Sequence, residues 1–434
     1  MAGRLRRLPR SLDPLEDESI YGYLLRLAHR FGAAPLEIAV RTGLVDQAPA
    51  RNRIPVRLLH DLDEPRLDAF ARATRLTHDE ARGLLTAPLG ERYGPLNARL
   101  LAEFRTPTGM VRNNRWILTR TTRYCPRCLS GDGSEIEERH GGRWCRSWRL
   151  PAVFACLRHQ RPLLYACPRC GQDINAARTG SLIARASEAG LHPAQCRATI
   201  PGTRAMCGAC LAGGEADRLS HAPSVVAALL RLQHHFDGLL DPDGPRSVGS
   251  FGWLIPAAQY FIDLRALSAL IFMTWPRASE LADTEALAVL VDREAEKRHA
   301  EFAKSRAEAP RRRQASHHYS DPPADPITAG AVLGIAAWLL SAPDENEAYE
   351  LMAPIIDGAK ERNFSMSYQF RRLSGTSYPL RVVLLTSRQD RSAFQRMGQR
   401  IGDQGLSRAF GRTWNPQLRA VSPLSRCHNA VTAT

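Results

Sequence analysis

Four close-spaced pairs of metal-ligand side chains fall between Cys125 and Cys210, and they limit what this chain can fold into more than any other feature. They are Cys125-Pro126-Arg127-Cys128, Cys156-Leu157-Arg158-His159, Cys167-Pro168-Arg169-Cys170 and Cys207-Gly208-Ala209-Cys210. Two residues between ligands let a tight turn aim both side chains at one tetrahedral ion, and two such turns close one site. The simplest grouping gives Cys125, Cys128, Cys156 and His159 one Zn²⁺, and Cys167, Cys170, Cys207 and Cys210 a second. Cys196 is a fifth thiol beside the second group, so which four of the five bind is open. Cys145 and Cys427 have no close-spaced partner and read as bystanders.

Nine of the 10 cysteines lie in this one stretch, which argues against chance. Disulfides would need an oxidising compartment, and the basic start MAGRLRRLPR leads into no apolar run that would make a signal peptide. An iron–sulfur cluster is the lesser alternative. Four protein ligands leave no coordination position for water or substrate, so both zincs are expected to be structural.

Around the metal ligands, RYCPRCL and WRLPAVFACLRHQRPLLYACPRCG resemble the zinc region of the TniQ family, the target-selection proteins of certain transposons. The matching elements are the first C-P-x-C turn followed by Leu129, the stretch Trp148-Arg149-Leu150, the C-x-x-H pair, and a second C-P-x-C with Gly171 behind it. Nearer the start, DPLEDESIYGYLLRLAHRFG resembles the family's N-terminal signature, an acidic-acidic-Ser start followed by a helix carrying Leu25-Arg26-Leu27-Ala28. The resemblance spans roughly residues 8 to 211. It implies a non-enzymatic subunit that binds DNA, or a DNA-bound guide-RNA effector complex, and passes the target to an AAA+ ATPase and transposase. A homodimer is a further expectation. By the same resemblance the N-terminal helices are the expected surface for capturing the ATPase, with Tyr21 and His29 on their outward face.

The remaining residues bound this reading. A length of 434 residues allows about three domains of ordinary size. Lys+Arg 59 against Asp+Glu 44 gives a net charge of +15, which favours a polyanionic partner, nucleic acid before membrane. The surplus is nearly all arginine, suited to bidentate phosphate and guanine contacts. Arg123, Arg127, Arg146, Arg149, Arg158 and Arg169, on or beside the metal-binding turns, are candidate DNA contacts, and Arg371 and Arg372 form a second candidate pair. No P-loop, H-E-x-x-H, G-x-S-x-G or acidic triad appears, so no enzyme is expected. The apolar run Pro326 to Pro343 falls short of the ~20 residues a bilayer span needs and reads as a buried helix in a cytoplasmic, nucleoid-associated protein. A zinc-containing transcription regulator is the alternative function, and a cryptic nuclease a third.

Apolar periodicity and helix-end residues predict a mainly α chain, with helix-turn-helix-containing helical domains flanking a small-β zinc-ribbon region. Expected helices include 18–31, a second from Pro35, Pro55 to Asp61, Pro65 to Thr74, and Thr77 to Leu85 with a capping box. Trp116-Ile117-Leu118 reads as a short strand, and His60 and His78 as surface residues. Further helices are expected over Val225 to Leu240, Trp253 to Trp275, Ser279 to Glu308, Ile327 to Leu340, a stretch from Ala348 to Ala359 kinked at Pro354, Ser365 to Leu373, and Arg391 to Phe410. The expected domains are residues 1–110 (helical), 111–214 (double zinc region), 215–309 (helical), 310–325 (basic linker) and 326–434 (helical).

Overall fold

The computed structural model describes residues 7–9, 11–46, 53–97, 100, 115–175, 180–213, 221–308, 317–362 and 375–386. The expected helices 365–373 and 391–410, and with them Arg371 and Arg372, lie outside these residues. The protein is mainly helical, and its only regular sheets among the described residues are two short antiparallel hairpins. It divides into two compact units. One gathers the described parts of Met1–Glu91, Phe104–Asp237 and Pro322–Gly330, the other those of Arg92–Glu103, Gly238–Asp321 and Ala331–Thr434.

The first unit opens with α1 (Ile20–Phe31), α2 (Pro35–Arg41), α3 (Glu64–Thr74) and α4 (His78–Gly83). Ser19 caps α1 by accepting from Gly22 N, and Gly32 ends it in the left-handed region. Pro35 starts α2 where a missing N–H costs nothing. Thr77 and Glu80 close the expected capping box on α4. Residues 56–59 form a 3₁₀ turn rather than an α-helix. His60 is buried against Thr86, at 3.2 Å, and is not a surface residue. His78 is half exposed near Asp68. Trp116, Ile117 and Leu118 are buried in a turn instead of a strand.

The metal-ligand stretch follows as short pieces: α5 (Pro126–Ser130), α6 (Glu135–His140), β1 (Ala155–Cys156) and β2 (Arg161–Pro162). β1 and β2 pair antiparallel, with Cys156 opposite Arg161, and the C-x-x-H pair occupies the hairpin tip. Mutual backbone bonds between Tyr124 and Leu164, both 2.8 Å, tie the first C-x-x-C turn to this hairpin. α7 (Pro223–Leu240) supports it from behind. Gln233 accepts from Phe154 N at 2.7 Å and Ala155 N at 3.0 Å, and Phe236 meets Phe154 edge-on.

The second unit is built on α8 (Ala257–Thr274), in which nearly every residue is buried. The residues expected to begin this helix at Trp253 form instead the strand β4 (Trp253–Pro256), paired with β3 (Ser247–Ser250). Around α8 are α9 (Glu285–Glu308) and α10 (His317–Ser320), and the unit is completed by α12 (Glu345–Leu351), α13 (Ala353–Glu361) and α14 (Tyr378–Thr386). α11 (Pro326–Leu340) is the expected buried helix. The stretch expected to kink at Pro354 is two helices that meet at Met352, because Pro354 lies in the first turn of the second, where proline is tolerated. Arg298 on α9 stacks over the Phe272 ring at 4.1 Å. Its guanidinium also donates to the carbonyls of His318, Tyr319 and Asp321, which fastens α9 to α10. No helix among the described residues is long and apolar enough to cross a membrane.

Candidate metal centres and the surface around them

Cys125, Cys128, Cys156 and His159 converge so that their ligand atoms lie within 4.8 Å of one another. Cys128 Sγ is 3.7 Å from Cys156 Sγ, and His159 Nδ1 is 3.5, 3.2 and 3.6 Å from the sulfurs of Cys125, Cys128 and Cys156. Zn–S and Zn–N bonds of about 2.3 and 2.0 Å give a tetrahedron with S···S edges of about 3.8 Å and S···N edges of about 3.5 Å. The four atoms therefore already outline a metal-sized tetrahedron. A disulfide would need sulfurs about 2.05 Å apart. The thiols share protons unevenly. Hydrogen bonds from Cys125 and Cys128 hold the Cys156 thiol below the usual thiol range, while its two partners are pushed above it. A divalent cation would replace those shared protons with one stronger countercharge.

The second cluster is Cys167, Cys170, Cys196 and Cys207. Cys167–Cys207 and Cys170–Cys196 sulfur distances are both 3.8 Å, again the edge of a zinc–thiolate tetrahedron. The spacing argument named Cys210 here, but the structure brings in Cys196 instead. Residues 195–199 and 206–210 run antiparallel, with Gln195 opposite Cys210 and Thr199 opposite Met206. In this register Cys207 faces Ala198, to whose carbonyl its N–H donates at 2.9 Å. Cys196, two places from Ala198, shares that face, whereas Cys210, three places from Cys207, has the opposite one. Cys210 is exposed, and its thiol meets the Ala212 carbonyl at 3.5 Å. A C-x-x-C pair signals a turn; a ladder pairing distant residues has no local sequence signal.

The candidate arginines separate by burial. Arg127, Arg158 and Arg169, each between two cluster residues, are exposed. Arg123 is fully buried, its guanidinium donating to the carbonyls of Pro151, Val153 and Pro323 at 3.0, 2.7 and 3.1 Å. Arg149 is buried too, bound to Thr122 Oγ1 at 2.6 Å and the Thr119 carbonyl at 2.9 Å, and burial brings its pKa down to about 10. Both hold the chain together from inside, so neither presents its charge to a phosphate. Arg146 is half-buried, held by Asp17 at 3.0 Å and the Leu85 carbonyl at 3.0 Å.

The acidic start docks residue by residue on the segment that follows α6. Glu16 pairs with Arg143 at 2.7 Å, Asp17 with Arg146 and Ser147, and Ser19 Oγ donates to the Trp144 carbonyl at 2.7 Å. Glu18 bridges to Cys145 through the backbone while its buried carboxylate binds Arg26 at 2.7 Å. Burial pushes that carboxyl up to about 7 against the pull of Arg26. Gly22 permits the approach, because a Cβ there would lie 2.8 Å from Trp144 Cβ. Tyr21, expected on an outward face, is 5 % exposed and meets the Trp144 ring edge-on at 5.2 Å. His29 turns toward His140 and His192, with ring centroids 5.4 and 5.0 Å away. Neither residue forms a free recruitment surface.

A comparison with curated proteins finds no match. The TniQ family model matches residues 9–163, from the N-terminal helices through the first cluster but short of the second, and so a narrower stretch than the 8 to 211 expected. Over residues 9–163 the chain is thus similar to the TniQ family, whose domain it carries there.

Proposed function

We propose that this chain is a non-catalytic transposition adaptor that binds a target, as DNA or as a DNA-bound guide complex, and recruits an AAA+ ATPase and transposase. The observation that carries the reading is the TniQ domain at residues 9–163. Two structural zincs complete it, one on Cys125, Cys128, Cys156 and His159, the other on Cys167, Cys170, Cys196 and Cys207. Both closed ligand sets support scaffolding over chemistry. The DNA-facing residues of this reading are Arg127, Arg158 and Arg169, whose exposed side chains stand on metal-held turns, so that little ordering entropy is lost on gripping phosphate.

DNA affinity is expected to fall steeply with salt, because each phosphate neutralised releases condensed counterion. Replacing Arg127, Arg158 and Arg169 by alanine should lessen the log–log salt slope by about 1 per arginine while zinc content stays unchanged. Purification from the host with identification of bound proteins and nucleic acid tests the adaptor itself. Capture of DNA with no ATPase would make the chain a zinc-containing regulator instead.

A further inference from the structure

The long helix α9 (Glu285–Glu308) turns one face to its own unit and another to solvent. Its buried residues are Val291, Ala295 and Arg298, which fall on a single stripe against the body of the unit. On the opposite side Ala286, Val289, Arg293, Glu296, Ala300 and Ala303 are all exposed, Val289 at 42 %. Their spacing alternates three and four, the a and d repeat by which one helix packs along another. Four of these six are apolar, on the side of a surface helix where polar residues are the rule. Alanine in such a seam lets two helix axes approach to about 8 Å.

The two charged positions of the repeat are opposite in sign. The ion pairs that α9 makes within the chain, Arg298 with Glu294 and His318 with Glu301, leave Arg293, Glu296, Glu285 and Arg306 unpaired among the described residues. A second copy laid antiparallel on this face, with a two-fold axis between Glu294 and Ala295, sets Arg293 of each copy opposite Glu296 of the other. In the same register Val289 meets Ala300, Ala286 meets Ala303, and Glu285 comes beside Arg306 on the flank. Symmetry makes each of these contacts twice. Parallel pairing fails the same comparison, because a faces a and d faces d, so that Arg293 would oppose Arg293 and Glu296 would oppose Glu296. A charged pair inside a small, apolar seam adds little net affinity but fixes register and direction.

We propose that the outward face of α9 is a self-association surface on which two copies of this chain pair antiparallel, with Arg293 and Glu296 setting the register. About 20 residues of each helix overlap, roughly 30 Å of contact. That is a small interface, so the dimer forms and dissociates with concentration. It involves neither residues 9–163 nor the metal clusters, and it stands or falls apart from the adaptor reading.

Sedimentation equilibrium of the full zinc-loaded chain, freed of nucleic acid, tests this. The wild type should pass from monomer to dimer as concentration rises. Arg293→Glu sets glutamate against glutamate at two places and Glu296→Arg sets arginine against arginine, so each should raise the dissociation constant about a hundredfold or more. Mixing these two variants should restore a dimer near wild-type strength, because each supplies the charge the other lacks. Both reversals in one chain should dimerise as well. Circular dichroism and zinc content report whether each variant is folded; if a single reversal does not fold, Val289→Asp and the double reversal carry the same comparison, the first weakening the dimer and the second keeping it. A wild type that stays monomeric at every concentration would overturn the proposal. So would a dimer that both single reversals leave intact, or a mixture of the two variants that recovers nothing.

Discussion

Cys207 and Cys210 stand three places apart on a paired strand, and this odd spacing decides which of them meets the second metal. Cys196→Ser should lower zinc content by about one ion per chain, whereas Cys210→Ser should retain both, as elemental analysis of folded protein would read. The reverse result would mean that the 195–199 and 206–210 ladder is out of register. Trp144 is the packing counterpart of the metal. Its ring is 1 % exposed, touches Tyr21, Tyr124 and Trp148, and donates its indole N–H to the Pro193 carbonyl at 3.2 Å. Trp144→Ala is expected to cost about 3–5 kcal/mol by loss of buried aromatic surface and the cavity left behind, measurable by denaturant unfolding at fixed zinc.

Three elements meet at the end of α1, and each brings one imidazole. His29 on α1 and His140 on α6 face one another with Nδ1 atoms 3.2 Å apart, so one donates and the other accepts, and His192 packs edge-on from the segment before Cys196. Burial lowers the pKa of all three, with His29, Arg30, Arg139 and Arg26 driving His140 down further, to about 4. The sign follows directly. The unfolded chain takes up protons below about pH 6.5, while the folded His140 stays neutral until near pH 4. This contribution to stability is complete above pH 6.5 and is lost as the pH falls through that window. His140→Gln should therefore flatten the dependence of unfolding free energy on pH between 6.5 and 5.5. An unchanged slope would show that the trio does not titrate with folding.

At the scale of the whole molecule, the two units differ in what holds them. In the first, the described residues around the clusters make only short helices and one two-residue hairpin, and the metal ligands join segments far apart in sequence. In the second, the long helix α8 buries nearly its whole length of mostly apolar side chains, and no metal-ligand cluster occurs among its described residues. Stripping the metal should unfold the first unit, because ligand binding there is folding free energy. The helices of the second should survive. Hydrogen exchange after chelation would separate the two: amides of 122–174 should exchange freely while those of 257–274 stay protected.

Local chemistry made much of this protein legible. Ser19, Gly32, Pro35 and the Thr77–Glu80 box mark helix ends because capping satisfies backbone groups within a few residues, and the first cluster is readable because a C-x-x-C or C-x-x-H turn is a local structure. The family resemblance was carried by the same short words. What only the tertiary structure decided involves partners distant in the chain. Cys196 replaces Cys210 through a strand register, and Arg123 and Arg149 turn inward to carbonyls that sequence alone does not bring near them. Tyr21 is buried by Trp144, more than a hundred residues away. The acidic start, readable as a helix cap, also locks onto residues 143–147, since a side chain's charge shows in the sequence but the partner that satisfies it is chosen by the fold.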